Sequence, residues 1–416
     1  MAHVDEHTMA GLNETPSGER VHIGFFGVRN AGKSSLVNAV TGQNLAVVSD
    51  TPGTTTDPVR KAMELLPVGP VVIVDTPGID DTGELGELRV EKARRAMDSA
   101  DVAVLVVDGT QGLGAVDEQL IDEFRKREVP YAVVLNKADL AGEQTASAPA
   151  VPEPDEAGVK HVKVSVSALE GWGINELKES IAALAGTQTV ERRVVGDLVD
   201  AGDMVVLVIP TDSAAPKGRI ILPQQQVIRD LLEAGASACA TSVECLPAML
   251  SALSEPPRLV ITDSQAFKPV AEIVPADVPM TSFSILMARY KGTLEAQMQA
   301  VNALENLTDK SNVLISEGCT HHRQCDDIGT KKLPRLIKQM CKAEPTFSFT
   351  SGREFPQSLE GYDVVVHCGG CMLNAREMEH RMQVAAEQGV PFTNYGMAIA
   401  KAHGILERSL APLNQE

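Results

Sequence analysis

The sequence has no apolar run near the ~20 residues that a bilayer-spanning helix needs. Its longest, Val102–Val107 and Met204–Ile209, have the length of strands. It is also short of positive charge: 37 Lys and Arg against 56 Asp and Glu leave a net −19. A general nucleic-acid binder needs a basic footprint to displace counterions from phosphates. Neither a membrane nor a nucleic acid is therefore expected as a partner. Residues 1–20 are polar and acidic, lack the apolar centre of a secretory signal, and read as a flexible lead-in. Cysteine is scarce, with 7 in 416 residues. That number is odd and the density too low for the disulfide framework of a secreted domain. The placement is uneven: Cys239 and Cys245 lie mid-chain, and Cys319, Cys325, Cys341, Cys368 and Cys371 follow towards the end. A reducing cytoplasm and a metal-binding C-terminal third fit that distribution.

What the sequence does have is Gly27-Val-Arg-Asn-Ala-Gly-Lys-Ser-Ser35, between an apolar strand at Val21–Phe26 and an amphipathic run at Leu36–Val40. Gly27, Gly32, Lys33 and Ser34 match the phosphate-loop spacing. Glycines let the backbone wrap a phosphate, and successive amides at a helix start make an anion nest. Gly27, Asn30, Ala31, Gly32, Lys33, Ser34 and Ser35 are thus candidate nucleotide contacts. Lys33 brings a charge to the terminal phosphates, and the Ser34 hydroxyl is a hard ligand for magnesium. Pro52-Gly-Thr-Thr-Thr-Asp57 lies where a first switch loop would be, with Thr55 the chosen magnesium ligand and Thr54 and Thr56 close alternatives. Strand Val71–Val74 ends in Asp75-Thr-Pro-Gly78: Asp75 can hold magnesium through water, and Gly78 can turn its amide to the γ-phosphate. Lys33, Thr55, Asp75 and Gly78 form the candidate catalytic set. Position 79 is Ile where many GTPases orient water with Gln, so intrinsic hydrolysis is expected at or below ~10⁻⁴ s⁻¹.

Strand Tyr131–Leu135 leads into Asn136-Lys137-Ala-Asp139. The Asp139 carboxylate can accept two hydrogen bonds from guanine, whereas adenine offers no such pair of donors. Ser167-Ala168-Leu169, after strand Val162–Val166, supplies a backbone N–H for guanine's carbonyl. Strands Val71–Val74 and Ala103–Val107 and helix Asp117–Arg127 complete an alternating pattern, which predicts a doubly wound, mostly parallel sheet. The Pro/Ala-rich segment Ala141–Gly158 reads as a flexible surface excursion. The asparagine in the loop (Asn30 to Leu36), the Gly-Thr-Thr run, Asp-Thr-Pro-Gly and Ser167 to Gly173 together resemble the TrmE/Era-like GTPases. That resemblance covers about the first 187 residues. It implies that Asn30 holds a potassium ion which stimulates hydrolysis.

Beyond a linker at Thr187–Arg193, strands at Met204–Ile209, Ala238–Ser242 and Leu259–Thr262 alternate with helices at Gln225–Glu233, Leu246–Leu253 and Phe267–Ile273. This is a second α/β unit without a phosphate loop, and Cys239 and Cys245 read as ordinary core thiols. Strand Val313–Ser316 then runs into Cys319-Thr-His321-His322, and strand Val364–Val366 into His367-Cys368-Gly-Gly-Cys371. Both turns would lie beyond strand ends on one sheet edge. Cys319, Cys368 and Cys371 with His321 or His367 suit a closed zinc site. The same three thiolates suit a 4Fe-4S cluster with one iron left open. Spacing leaves the two metals open. Cys341 falls in a helix, Leu333–Lys342.

A GTPase followed by Cys-x-His and a distant His-Cys-x-x-Cys, with 45 residues between the histidines, resembles the FeFe-hydrogenase H-cluster maturation GTPases, the HydF family. The resemblance spans essentially the whole chain. It implies an N-terminal P-loop GTPase domain followed by two smaller α/β domains: 1–187 GTP-binding, 188–283 dimerisation, 284–416 cluster-binding. It further implies a slow GTP hydrolase that acts as scaffold and carrier and holds a 4Fe-4S cluster on Cys319, Cys368 and Cys371, with His321 and His367 exchangeable or beside it. GTP or GDP, Mg2+ and K+ would be its further cofactors. A homodimer would receive a transient diiron subcluster from radical-SAM maturation enzymes (HydE and HydG types) and pass it to the FeFe-hydrogenase apoprotein. A tRNA- or ribosome-directed GTPase with a zinc-stabilised C-terminal domain is the alternative.

Overall fold

The computed structural model describes residues 15–43, 59–78, 84–141, 150–186, 192–211, 220–318, 327–352 and 355–413, with the backbone alone for 84–89. It divides into two compact units, Met1–Val190 and Glu191–Glu416.

The first unit runs β1 (Val21–Phe26), α1 (Lys33–Thr41), β2 (Val59–Leu65), β3 (Gly69–Asp75), α2 (Glu84–Met97), β4 (Val102–Asp108), α3 (Ala115–Lys126), β5 (Tyr131–Asn136), α4 (Ala138–Ala141), β6 (Glu153–Pro154), β7 (Lys160–Ser165) and α5 (Ile174–Gly186). One seven-stranded sheet results, in the order β2-β3-β1-β4-β5-β7-β6. Only the two edge pairings, β2–β3 and β6–β7, are antiparallel. The central strands are apolar almost throughout because both faces are covered. Ile23, Phe25, Val102, Val104 and Val106 enter one core, and Phe26, Ala103, Leu105 and Val107 enter the other. From β1 the chain builds outward on both sides, so the loop after β1 lies where ligands bind in such sheets.

The excursion expected at Ala141–Gly158 is corrected for the part described. Residues 153–154 form edge strand β6 against β7. Asp155 then closes the turn, accepting from the amides of Ala157 (2.9 Å) and Val159 (3.0 Å), from Arg125 Nε (2.8 Å) and from the Tyr131 hydroxyl (2.7 Å). Composition concealed this because the partners lie on other elements.

The second unit runs β8 (Met204–Val208), α6 (Leu222–Glu233), β9 (Ser237–Thr241), α7 (Leu246–Ala252), β10 (Leu259–Thr262), α8 (Phe267–Ile273), β11 (Met280–Ser282) and α9 (Phe283–Tyr290). It continues through α10 (Leu294–Ala300), β12 (Asn312–Ser316), α11 (Leu333–Cys341), β13 (Thr346–Thr350), β14 (Val364–His367), α12 (Ala375–Glu387), β15 (Phe392–Asn394), α13 (Tyr395–Ala402) and α14 (Leu406–Leu410). Two four-stranded parallel sheets result, β11-β10-β8-β9 and β13-β12-β14-β15. Numbered within each half, both have the order 2-1-3-4, so the unit is a doubled motif.

The likeness extends to residues. Pro279-Met-Thr-Ser-Phe283 leads into α9 and Pro391-Phe-Thr-Asn-Tyr395 into α13. Pro279 and Pro391 offer their carbonyls to Val260 (2.9 Å) and Val365 (2.8 Å). Ser282 and Asn394 cap the helices. The two halves share one core, in which Val206 and Val260 join Val313, Val364 and Met397. A boundary at 283/284 would cut α9 at its first residue; β11 and α9 are continuous, and the first half extends through α9.

Two thiol expectations change. Cys245 is exposed at the start of α7, and Cys239 is half-buried on edge strand β9 beside Met249. Cys341, the last residue of α11, packs half-buried against the shared core.

Candidate functional site

The loop after β1 turns sharply into α1. Gly32 takes the N-cap position at φ 87°, and no side chain caps the helix. The first-turn amides, which lack partners inside a helix, are thus left for an anion. A Cβ at Gly32 would overlap the Asn136 amide, so glycine is required on two counts. Asn30 adopts φ 65°, a left-handed conformation that asparagine tolerates better than most. Lys33 Nζ lies 2.9 Å from Asp75 and also donates to the Thr76 carbonyl. The Thr76 hydroxyl bonds the Phe25 carbonyl at 2.7 Å, which ties the Asp-Thr-Pro-Gly strand end to β1. Gly78 packs on the Arg29 backbone, where a Cβ would sit 3.1 Å from the Arg29 Cα. Lys33, Ser34, Asp75 and Gly78 therefore gather around one loop. Thr55 and Ile79 lie outside the described residues.

Across the strand ends, Asn136 is a tie rather than an open contact. Its amide donates to the carbonyls of Ala31 (3.1 Å) and Gly32 (3.4 Å), and its oxygen accepts from the Ala168 amide (3.1 Å). Of the Ser167–Leu169 amides, one of which is expected to meet guanine's carbonyl, that of Ala168 is engaged here. Lys137, at φ 61°, reaches Asp108 at 2.6 Å. Burial would raise the Asp108 pKa, but the bonds from Lys137 and Thr110 outweigh it and hold it low. Asp108 belongs to no motif, and Thr76 lies inside Asp-Thr-Pro-Gly without a role assigned from its type, so sequence reasoning missed both. One Asp139 oxygen is buried with no hydrogen-bond partner among the described residues. An orphaned buried acceptor is costly, and the donors of a guanine would relieve it. The donor set fits a magnesium–guanine nucleotide.

In the second unit, β12 and β14 are parallel neighbours with Ser316 opposite His367. Both strand ends therefore open on one edge. The Gly318 amide donates to Cys368 Sγ at 3.1 Å, and the Gly370 amide approaches the same sulfur at 3.4 Å. Cys319, which follows Gly318, lies outside the described residues, as do His321 and Cys325. The chain is described again from Asp327, whose carboxylate accepts from the Thr330 amide at 2.9 Å. Gly329 there packs so closely on the Tyr395 hydroxyl and Glu317 that a Cβ would not fit. The Tyr395 hydroxyl donates to Glu317 at 3.3 Å. Burial, with Glu317 and Cys368 nearby, raises its pKa well above the ordinary value.

Burial, reinforced by Cys368, pushes the Cys371 thiol up to about 12, against the pull of the Lys291 ammonium. Lys291 is 2 % exposed and comes from the end of α9 in the other half. His367 is the last residue of β14 rather than part of the turn, and is fully buried. Among the described residues no three His, Cys, Asp or Glu side chains form a metal-binding group. Two thiols on a Gly-Gly turn, with amides aimed at sulfur, nonetheless fit an iron–sulfur group better than an inert core.

Fold and loop define a P-loop GTPase domain joined to a doubled α/β unit with a cysteine turn at a strand end. Residues 22–137 match the family model described as 50S ribosome-binding GTPase. Residues 194–292 match the hydrogen maturase F dimerization domain, and residues 295–412 the hydrogen maturase F tetramerization domain. These last two matches cover just over half of the chain, which belongs to the hydrogen maturase F family.

The tRNA modification GTPase MnmE of Laribacter hongkongensis is 37% identical over 171 residues, 41% of this chain and 36% of that protein. The MnmE of Heliobacterium modesticaldum is 38% identical over 174 residues, 40% of this chain and 33% of that protein. The chain thus spans about a third of the length of these curated relatives. A solved variant of Aquifex aeolicus Era, bound to GDP and aluminium fluoride, is 20% identical with a TM-score of 0.33, covering 53% of this chain and 91% of that one. A probable GTP-binding protein engB is 23% identical with a TM-score of 0.32, covering 40% of this chain and 100% of that one.

Proposed function

We propose that this protein is a GTP-hydrolysing scaffold and carrier in FeFe-hydrogenase maturation. In this reading Cys319, Cys368 and Cys371 hold a 4Fe-4S cluster, the diiron subcluster is cargo, radical-SAM maturation enzymes load it, and the hydrogenase apoprotein receives it. Beyond family membership, the observation that supports the reading is the Gly318 amide on Cys368 Sγ at 3.1 Å. Gly318 immediately precedes Cys319 in the sequence, so the described chain meets the Cys368–Cys371 turn one residue before the third cysteine. When bound there, a cluster on three thiolates supplies one iron open to an incoming ligand. The Gly318 and Gly370 amides offset thiolate charge at Cys368, and Lys291 does so at Cys371.

In the GTPase unit, nucleotide binding moves Lys33 from Asp75 to the β- and γ-phosphates. Asp75 is thereby released for the magnesium shell, which Ser34 and Thr55 complete. Asp139 reads guanine, and Asn30 holds a potassium ion that speeds hydrolysis. Gly78, resting on the loop, registers the γ-phosphate, and its release reorders the switch segments and shifts partner affinity by about 1–3 kcal/mol. The dimerization and tetramerization segments support an oligomer.

The test is anaerobic reconstitution with iron and sulfide, followed by EPR, on the parent and on Cys319→Ala, Cys368→Ala and Cys371→Ala. The parent is expected to be brown and to give a reduced-cluster signal that each variant loses. Colourless protein with stoichiometric zinc would overturn the cluster and favour a zinc-stabilised GTPase directed to tRNA or ribosomes.

A further inference from the structure

We propose that Arg381 acts through His367 to position the Cys368–Cys371 turn, and that His367 serves this turn as a hydrogen-bonding residue rather than as a metal ligand. The inference rests on the cluster-binding reading of that turn. His367 is fully buried, and both of its ring nitrogens are engaged. Nε2 lies 2.9 Å from Arg381 Nη1, and Nδ1 lies 2.7 Å from the Cys368 carbonyl. A guanidinium has donors only, so Nε2 must accept. A carbonyl only accepts, so Nδ1 must carry the hydrogen. The two contacts require the same neutral tautomer, and neither nitrogen is left for a metal.

The other side of the ring stacks on Phe392, with centroids 5.6 Å apart and planes at 22°. To ligate through Nε2 the ring would have to displace Arg381, which is 1 % exposed and would lose one of its few partners. Arg381 is itself held from three directions. It donates to Glu377 at 2.8 Å, one turn back on α12, and to the Gly352 carbonyl at 3.0 Å, and it lies over the Phe355 ring at 5.3 Å. The chain of contacts ends on the peptide that sets Cys368, whose amide bonds the Ser316 carbonyl at 2.9 Å. Turning the Cys368 carbonyl would swing the Gly370 amide away from the Cys368 sulfur.

The first half of the same unit supplies an internal comparison. Thr262 occupies the position of His367: it pairs with Val208 and Ser282 as His367 pairs with Ser316 and Asn394. Its hydroxyl reaches the carbonyls of Val208 (3.3 Å) and Asp263 (3.4 Å). A short hydroxyl therefore suffices at a strand end followed by Asp263. A ring held by a buried guanidinium is present in the half that carries the cysteines. Partners of this kind, one bond removed from a ligand, fix ligand geometry.

The experiment uses the full chain, reconstituted anaerobically and desalted, with iron and sulfide counted per chain. Pulsed EPR on protein enriched in 15N-histidine reads direct nitrogen ligation. His367→Asn keeps a donor for the Cys368 carbonyl and should retain iron near the parent level. His367→Leu and Arg381→Met should lose retention about 10-fold or more, with Arg381→Lys between. Any nitrogen coupling in the parent should survive in His367→Asn. Coupling that disappears in His367→Asn, or full iron in His367→Leu, overturns the proposal. Should Arg381→Met fail to fold, the His367 pair decides, because it leaves the Arg381–Glu377 contact intact. A parent that takes up no iron overturns the cluster reading and this inference with it.

Discussion

Asp139 is the single residue on which guanine specificity is proposed to rest. One of its carboxylate oxygens is buried with no hydrogen-bond partner among the described residues, a cost that the paired donors of a bound ligand would remove. Asp139→Asn is expected to weaken GTP binding about 100-fold or more. The same change should improve xanthosine triphosphate binding, because the asparagine amide can donate to the carbonyl that replaces guanine's amine. Calorimetric titration with both nucleotides checks this. The aspartate was legible from Asn-Lys-x-Asp spacing alone, since that loop's chemistry is local. The roles of Asn136 and His367 were not. Asn136 joins Ala31, Gly32 and Ala168, and His367 joins Arg381 and Cys368, and such ties exist only once distant strands stand side by side.

Among elements, the β6–β7 hairpin shows where composition misleads. A segment rich in proline and alanine carries Asp155, whose carboxyl burial would raise. The bonds from Arg125, Tyr131 and two backbone amides prevail and hold its pKa at about 2, against 3.8 when free. A depressed folded-state value means that the carboxylate stabilises the fold above the unfolded pKa, and that the contribution fades as pH falls through the folded value. Asp155→Asn should therefore cost on the order of 1–2 kcal/mol at neutral pH, given a partly exposed Arg125. The deficit should narrow below about pH 4. Urea unfolding of parent and variant across pH measures it, and an equal deficit at all pH values would contradict it. The buried central strands were readable because apolar runs covered on both faces need no partner to be recognised. Edge strands β2, β6 and β13 carry mixed sequences and were not.

For the molecule as a whole, the doubled second unit matters most. Its two sheets repeat one strand order and close over a single core, with residues such as Val206 and Val313 in one cluster. Glycines of the second half meet serines of the first across the join: Gly369 lies against Ser284, and Gly396 against Ser264 and Ser284. The cysteine turn thus rests on the helix start of the other half, and the charge of Lys291, at the end of that helix, opposes the burial that raises the Cys371 pKa. A fragment of residues 191–416 is expected to unfold in one transition, with far-UV and near-UV circular dichroism coincident. Separate halves cut at Gly292 should not fold, because each would expose its side of the shared core. Two well-separated transitions in the intact fragment would refute this.

By itself the amino-acid sequence determined the nucleotide, the α/β class and the pairing of a phosphate-binding domain with a cysteine-bearing one. Those properties depend on short loops whose chemistry is complete within a few residues, and on strands apolar enough to be buried anywhere. Only tertiary structure decided that the two halves of the second unit form one body. Only it decided that a buried arginine holds the histidine before the cysteines, and that the cysteine turn rests against the helix start of the other half. Each of these joins residues on different elements, and the packing of those elements, which no single one encodes, brings them together.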